Sequence, residues 1–379
     1  MDIKKNIDSD SVVDSVEKAL QSNYESHSSF NSVLDELQSN IEIVSLKDSA
    51  HKYGYTPSEV LYWVDRKAYG DELDSWQGVC QLEKHQEAMA FLKRTKQESI
   101  FNDLVDAIRV GRIVPFFGAG LSKSYGYPMW GEALKKLAEK IDCTIDDHLE
   151  IFDYLGAAQA LYDHSSDEFH NFIRTEFRQR SIGSRELGVV SLLPQLVRGC
   201  VITTNFDSII EDVLKEKGHS LDAYIHGAQE GHNFFQKLIR NERCILKLHG
   251  DAGHDKTYIF TMQKYDEVYG NPICFKKQLP RALRQIFISH SLLFVGCSLE
   301  QDRTLELFQS VVVEESFEIP DHFALLNAPT DSLQKRDKER RLLKMKIRPI
   351  WYDAPNHDHA LLEKILALLL AVANREVSF

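Results

Sequence analysis

The sequence predicts an α/β protein: a doubly wound, mainly parallel six-stranded sheet with a helical insertion, preceded by an all-α N-terminal module. Three observations predict it. Six short runs are apolar almost throughout: Ile113–Phe117, Cys200–Thr204, Cys244–Leu248, Leu292–Val295, Phe323–Leu326 and Ile347–Tyr352. Such runs suit strands buried on both faces, as in a parallel sheet flanked by helices. Helix-length segments separate them, which is the pattern of an alternating βα chain. The first hundred residues show neither feature.

In that N-terminal region apolar residues recur at steps of three and four instead: Val12, Val13, Val16, Leu20, then Phe30, Val33, Leu34, Leu37. That is helical periodicity. We therefore place a helical module over residues 1–100 and an α/β domain over residues 101–379. Thr144–Arg180 is rich in Phe, Tyr and Leu at helical spacing and reads as the insertion.

Composition narrows the class. The 379 residues hold 45 basic and 57 acidic side chains, a net charge of −12, with 43% hydrophobic and 27% charged residues. These are ordinary globular values, which exclude a disordered, collagenous or membrane-spanning chain. A surplus of acid also excludes coating nucleic acid as the main task, since phosphates need a basic face. Residues 1–100 carry 11 basic and 18 acidic residues, a net of −7. The opening Met-Asp-Ile-Lys-Lys-Asn has no apolar signal core, and Ile365–Ala373 falls far short of a membrane span. The six cysteines are scattered, with no Cys-x-x-Cys pair. A cytoplasmic protein with reduced core thiols is expected.

Within the N-terminal module, residues 45–67 read as a helix-turn-helix-like segment. Ala50 is small, Gly54 suits the turn, and Thr56-Pro57 with Glu59 forms a capping box opening a second helix. Val60 and Trp63 are expected to face its core. The exposed side of that helix would carry Glu59, Asp65, Arg66 and Lys67. That is a mixed face, so contact with nucleic acid and docking of a protein partner both stay open.

In the α/β domain, polar residues cluster where the predicted strands end. Ile113–Phe117 runs into Gly118-Ala119-Gly120-Leu121-Ser122. Glycines there let the backbone approach a pyrophosphate, and a following helix would offer free N–H groups and a positive dipole end. A third glycine is absent, because Lys123 stands in its place. The later runs end in Thr203-Thr204-Asn205-Phe206-Asp207, Leu248-His249-Gly250-Asp251, Val295-Gly296-Cys297-Ser298-Leu299 and Leu326-Asn327-Ala328-Pro329. The carboxyl ends of strands are where open α/β sheets bind ligands. Taken singly, Asn205, Asp207 and Ser298 also suit helix caps, and His249 a hydrogen-bonded strand end.

This ordered set resembles the sirtuin family over roughly residues 101–379, which implies a Rossmann-like, sirtuin-type sheet. Residue by residue, the resemblance implies that Gly118, Ala119, Gly120 and Ser122 hold the pyrophosphate of NAD. Asn205 and Asp207 match the family's Asn-x-Asp beside the nicotinamide ribose. His249 matches the catalytic histidine, Gly296 and Ser298 the residues near the phosphates, and Asn327 the asparagine at the adenine ribose. Protein-deacylating members carry two Cys-x-x-Cys pairs after the histidine, whereas Asp251–Tyr269 contains no cysteine. No zinc or other metal is therefore expected.

Such zinc-free chains resemble sirtuin-like effectors of bacterial antiviral defence that hydrolyse NAD. The helical extension is compatible with the group partnered with a HerA-type hexameric ATPase. The expected function is a gated NAD hydrolase releasing nicotinamide and ADP-ribose, with Asn205, Asp207 and His249 catalytic, acting by abortive infection. The alternatives are a nucleotide-sensing DNA-binding regulator and a protein deacylase or ADP-ribosyltransferase. Tyr53, Tyr55, Tyr62, Trp63 and Trp76 exceed what so small a module easily buries, so a homo-oligomer of closed symmetry is expected. Lys335–Arg348 holds eight basic and two acidic residues. It reads as a solvated helix face or as a surface for an acidic partner.

Overall fold

The computed structural model describes residues 9–37, 40–44, 52–151, 153–178, 180, 188–229, 233–300, 303–314 and 318–379. The chain forms two compact units, Met1–Gln86 and Glu87–Phe379.

The smaller unit holds the helices Ser9–Ser26, Ser28–Leu37 and Pro57–Val64 and most of the long helix Arg66–Arg94. Phe30, Tyr62 and Tyr69 form its buried centre, with Tyr24 and Trp76 packed on them. Edge-to-face ring pairs such as Tyr62 with Tyr69, 4.9 Å between centroids, account for the aromatic richness. Two expectations are corrected. The unit is not all-α, because β1 (Ile41–Val44) and β2 (Lys52–Tyr55) form an antiparallel ladder. Gly54 lies in that ladder opposite Glu42 and makes no turn. Residues 45–51, with Ala50, lie outside the described residues. Within Lys52–Val64 the helix-turn-helix reading is replaced by a strand that passes through the extended Thr56 directly into a helix. The capping box does form: Thr56 N–H donates to Glu59 Oε2 at 2.9 Å and Glu59 N–H to Thr56 Oγ1 at 3.3 Å. On the helix it opens, Tyr62 is the buried aromatic, while Trp63 is 48% exposed.

The larger unit starts at Glu87, not at residue 101. The cause is packing. The last turns of helix Arg66–Arg94 bury Ala88, Phe91 and Leu92 in this unit's core. Gln97 then uses its whole amide: Oε1 accepts from Trp351 N–H at 2.7 Å and Nε2 donates to Trp351 C=O at 2.9 Å.

The sheet has seven parallel strands rather than six. They are β3 (Ile113–Phe117), β4 (Val201–Thr203), β5 (Ala223–His226), β6 (Cys244–Lys247), β7 (Ser291–Val295), β8 (His322–Asn327) and β9 (Ile347–Tyr352). Their order is β5-β6-β4-β3-β7-β8-β9. The extra strand β5 lies at an edge, and its Ala-Tyr-Ile-His buries only Ile225. Residues alternate between the sheet's faces: Leu293 and Val295 enter one core, Leu292 and Phe294 the other. The insertion helices Asp146–Glu150, Tyr154–His164 and Ser166–Glu176 pack on the first core through Ala157, Leu161, Phe169 and Ile173.

Val201 pairs with Ile245, so Cys200 and Cys244 stand side by side one residue upstream. Their Cα atoms are 4.6 Å apart and they form a disulfide. This corrects the expectation that all six thiols are reduced. Among the described residues no helix is long and apolar enough to cross a membrane.

Candidate functional site

Strand order decides where a ligand can sit. From β3 the chain builds outward through β4 to β6 and β5, then returns to β3's other side with β7, β8 and β9. Beyond the carboxyl ends of β3 and β7 the connections diverge, leaving the crevice of an open α/β sheet. A cavity of about 660 Å³ lies there, within the range of small-molecule sites. Gly118, Ala119, His249, Gly296 and Ser298 line it, together with Trp130, Phe260 and Tyr265.

The loops after β3 and β7 are built against each other. Gly118 N–H donates to Val295 C=O at 3.0 Å and Gly120 N–H to Gly296 C=O at 2.9 Å. A Cβ on Gly118 would lie 2.5 Å from the Gly296 carbonyl oxygen, and Gly296 itself has a φ of +71°. These glycines are thus required by loop–loop contact, whatever ligand follows. The expected helix directly after the glycine loop is absent. Ala119–Leu121 and Lys123–Tyr125 are single 3-10 turns, and the α-helix begins only at Trp130. Backbone N–H groups of Gly120, Leu121 and Ser122 are already bonded within the protein, which weakens the expected anion cradle.

Ser122, Asn205 and Asp207 come together beneath that loop rather than in the cavity wall. All three are buried. Asn205 Nδ2 donates to Gly118 C=O at 3.2 Å and to Ser122 Oγ at 3.0 Å. The Ser122 hydroxyl in turn bonds Asp207, whose Oδ1 also accepts from Ile209 N–H at 3.1 Å. This relay orients the Asn205 amide. Its Oδ1 is buried and has no hydrogen-bond partner among the described residues. Burial raises the pKa of Asp207, against the opposing pull of Lys247 and the Ser122 bond.

His249 follows β6 and is buried in an aromatic box. Its Nε2 lies 2.5 Å from the Tyr265 hydroxyl, and its ring meets Trp130 edge-on at 5.6 Å. Asn327 ends β8 on the surface and does not line the cavity.

Sequence reasoning missed Trp130, Tyr265 and Lys247. Lys247 had a readable signal, a charge inside an otherwise apolar run, whereas Tyr265 stands 16 residues from His249 with no local pattern. Lys247 is fully buried, 2.8 Å from Glu211 Oε1 and 2.9 Å from Asp251 Oδ2. Burial disfavours its charge, but the two carboxylates outweigh that and raise its pKa. Among the described residues no group of three or more His, Cys, Asp or Glu is arranged to hold a metal ion.

Comparison with known proteins agrees with this architecture. Residues 199–350 match the SIR2-like domain family. That stretch contains Asn205, Asp207, His249, Gly296, Ser298 and Asn327, while the glycine loop precedes it. The chain is 24% identical over 217 residues to the NAD(+) hydrolase ThsA of Cytobacillus dafuensis, covering 57% of this chain and 41% of that protein. It is 26% identical over 210 residues to the ThsA of Acinetobacter baumannii, covering 54% and 40%. It is 24% identical over 226 residues to defense-associated sirtuin 2 of Bacillus subtilis, covering 57% and 21%. The chain thus spans about two fifths of the ThsA relatives and about one fifth of the defense-associated sirtuin. Its parallel sheet, its switch-point crevice and the SIR2-like match over residues 199–350 make the chain similar to the sirtuin-like proteins over that stretch.

Proposed function

We propose that this protein hydrolyses NAD to nicotinamide and ADP-ribose, as a gated effector of antiphage defence. The observation that carries the reading is His249 in the wall of a switch-point cavity, next to a relay that leaves the Asn205 carbonyl oxygen uncommitted. The names of the ThsA relatives point the same way.

The chemistry asks little of an acid. Nicotinamide leaves as a neutral molecule from a cationic pyridinium, so its departure needs no proton. The reaction needs stabilisation of an oxocarbenium-like transition state and a placed water. Asn205 Oδ1 orients the nicotinamide ribose or the water, and because it is buried outside the cavity wall this requires the Gly118–Ser122 loop above it to shift when the substrate binds. His249, in the cavity wall, accepts a proton from water or a ribose hydroxyl as general base. Asp207 acts through Ser122, holding the Asn205 amide in one orientation. With no acyl-lysine to intercept the sugar, water is the acceptor. An unregulated NAD hydrolase would harm its host, so the activity is gated by assembly or by a partner, with a HerA-type ATPase as the first candidate.

The test is to incubate the purified protein with NAD, alone and with the neighbouring gene product, and to follow nicotinamide by chromatography. Asn205→Ala and His249→Ala should each abolish release while the fold persists by circular dichroism. No release from the wild type under either condition, or wild-type rates in both folded variants, overturns the reading.

A further inference from the structure

Lys247 ends β6 with a fully buried ammonium. A buried ammonium is costly unless its donors are all used. Four oxygens from three segments surround it. Phe206 C=O at 3.3 Å and Asp207 C=O at 2.6 Å belong to the loop after β4. Glu211 Oε1 at 2.8 Å belongs to the helix Ile209–Glu216, and Asp251 Oδ2 at 2.9 Å to the loop after β6. One backbone bond joins the same loops, from Ala252 N–H to Phe206 C=O at 3.1 Å. The first loop carries Asn205 and the second starts with His249. Lys247 itself is not in the cavity wall.

The arrangement is expensive for a plain core. Glu211 is buried as well, and its Oε2 has no hydrogen-bond partner among the described residues. Lys247 faces the same core as Ile245, where an aliphatic side chain would pack without any of these costs. What an aliphatic side chain cannot do is bond two backbone carbonyls of one loop and a carboxylate of the other at once.

Resting on the NAD-cleaving reading, we propose that Lys247 is a positioning residue that sets the Asn205 and His249 loops against each other for the reaction. It touches no substrate. Its effect is on the geometry of the reacting groups, and hence on turnover rather than on affinity.

The experiment compares wild type, Lys247→Met and Glu211→Gln in two assays: steady-state NAD cleavage, and amide hydrogen exchange of peptides covering residues 204–212 and 249–254. Lys247→Met should lower kcat on the order of 100-fold, the scale of an ångström-sized misplacement. KM should stay within about threefold, because uniform binding is untouched. Exchange should accelerate in both loops while β3 and β7 stay protected. Glu211→Gln should move both readouts in the same direction by less. A raised KM with unchanged kcat, or unchanged loop exchange in Lys247→Met, overturns the proposal. If Lys247→Met does not fold, wild-type kcat and exchange in Glu211→Gln overturn it. A wild type that releases no nicotinamide sinks the NAD reading instead, and loop exchange then decides the role of Lys247 by itself.

Discussion

Gly118 and His322 show how single atoms constrain this fold. A methyl group on Gly118 would meet the Gly296 carbonyl oxygen at 2.5 Å and Cys297 Sγ at 2.7 Å. Backbone cannot yield as a flexible side chain does. Gly118→Ala should therefore cost about 1–3 kcal/mol, the usual penalty of overpacking. Thermal unfolding reads this directly, and an unchanged melting temperature would show that the two loops are looser than described. His322 is wholly buried, stacks on Phe287 at 3.9 Å, and accepts at Nδ1 from Leu292 N–H at 3.0 Å. Burial drives its pKa from 6.5 down to about 3. The unfolded chain thus takes up a proton below pH 6.5 that the folded chain refuses. The stability contributed by neutral His322 is complete above pH 6.5 and is lost as pH falls from there towards 3. His226, His290 and His359 are also lowered by burial, while the raised Asp207 and Glu211 act in the opposite sense. His322→Asn keeps an acceptor for Leu292 and removes the titration. Its unfolding free energy should fall less steeply between pH 6.5 and 5 than that of the wild type in urea titrations. Parallel slopes would reject this assignment.

At the level of elements, the continuous apolar runs exposed six of the seven strands, because burial on both faces leaves an unbroken signature. β5 escaped because an edge strand needs only Ile225 inside and tolerates the exposed Tyr224. The β1–β2 ladder escaped because its short strands alternate with polar residues and carry a glycine. Pairing of Cys200 with Cys244 depends on the β4–β6 register, which no spacing rule contains. Among site residues, Gly118, Ala119, His249, Gly296 and Ser298 were legible and do share one cavity. That Ser122 and Asp207 serve Asn205 from below was not legible, since hydrogen-bond direction is a property of the fold. The basic segment is a helix, Ser332–Lys344, continued by β9. Part of its charge is spent internally, because Lys338 and Arg341 pair with Glu300 and Arg348 with Asp103 and Asp321. Arg336 and Arg340 stay exposed, so the surface left for an acidic partner is smaller than composition suggests.

For the whole molecule we keep the expectation of a homo-oligomer with closed symmetry, with the N-terminal unit at an interface. Among the described side chains, Trp63, 48% exposed, and Tyr55, 40% exposed, are the module's aromatics left for such a contact, since Tyr62 is already buried. A truncation meant to test this must begin at Glu87, because one at Phe101 would remove Phe91, Leu92 and Gln97 from the larger unit. Light scattering should show full-length protein as a multimer and the Glu87 truncation as smaller species. Monomeric full-length protein across micromolar concentrations would end the idea. Which margin of the sheet takes part is constrained by Gln97. Along β9, Ile347, Pro349 and Trp351 direct their backbone away from β8, while Lys346 and Tyr352 bond towards it. Pro349 has no N–H to offer a neighbour, and Gln97 already occupies both backbone groups of Trp351. Of the groups β9 turns outward, an incoming strand would find only the Ile347 N–H and C=O and the Pro349 C=O, too few for a regular ladder. Sheet growth from chain to chain is therefore disfavoured at this end, and a neighbouring copy placed there would have to meet side chains instead of backbone.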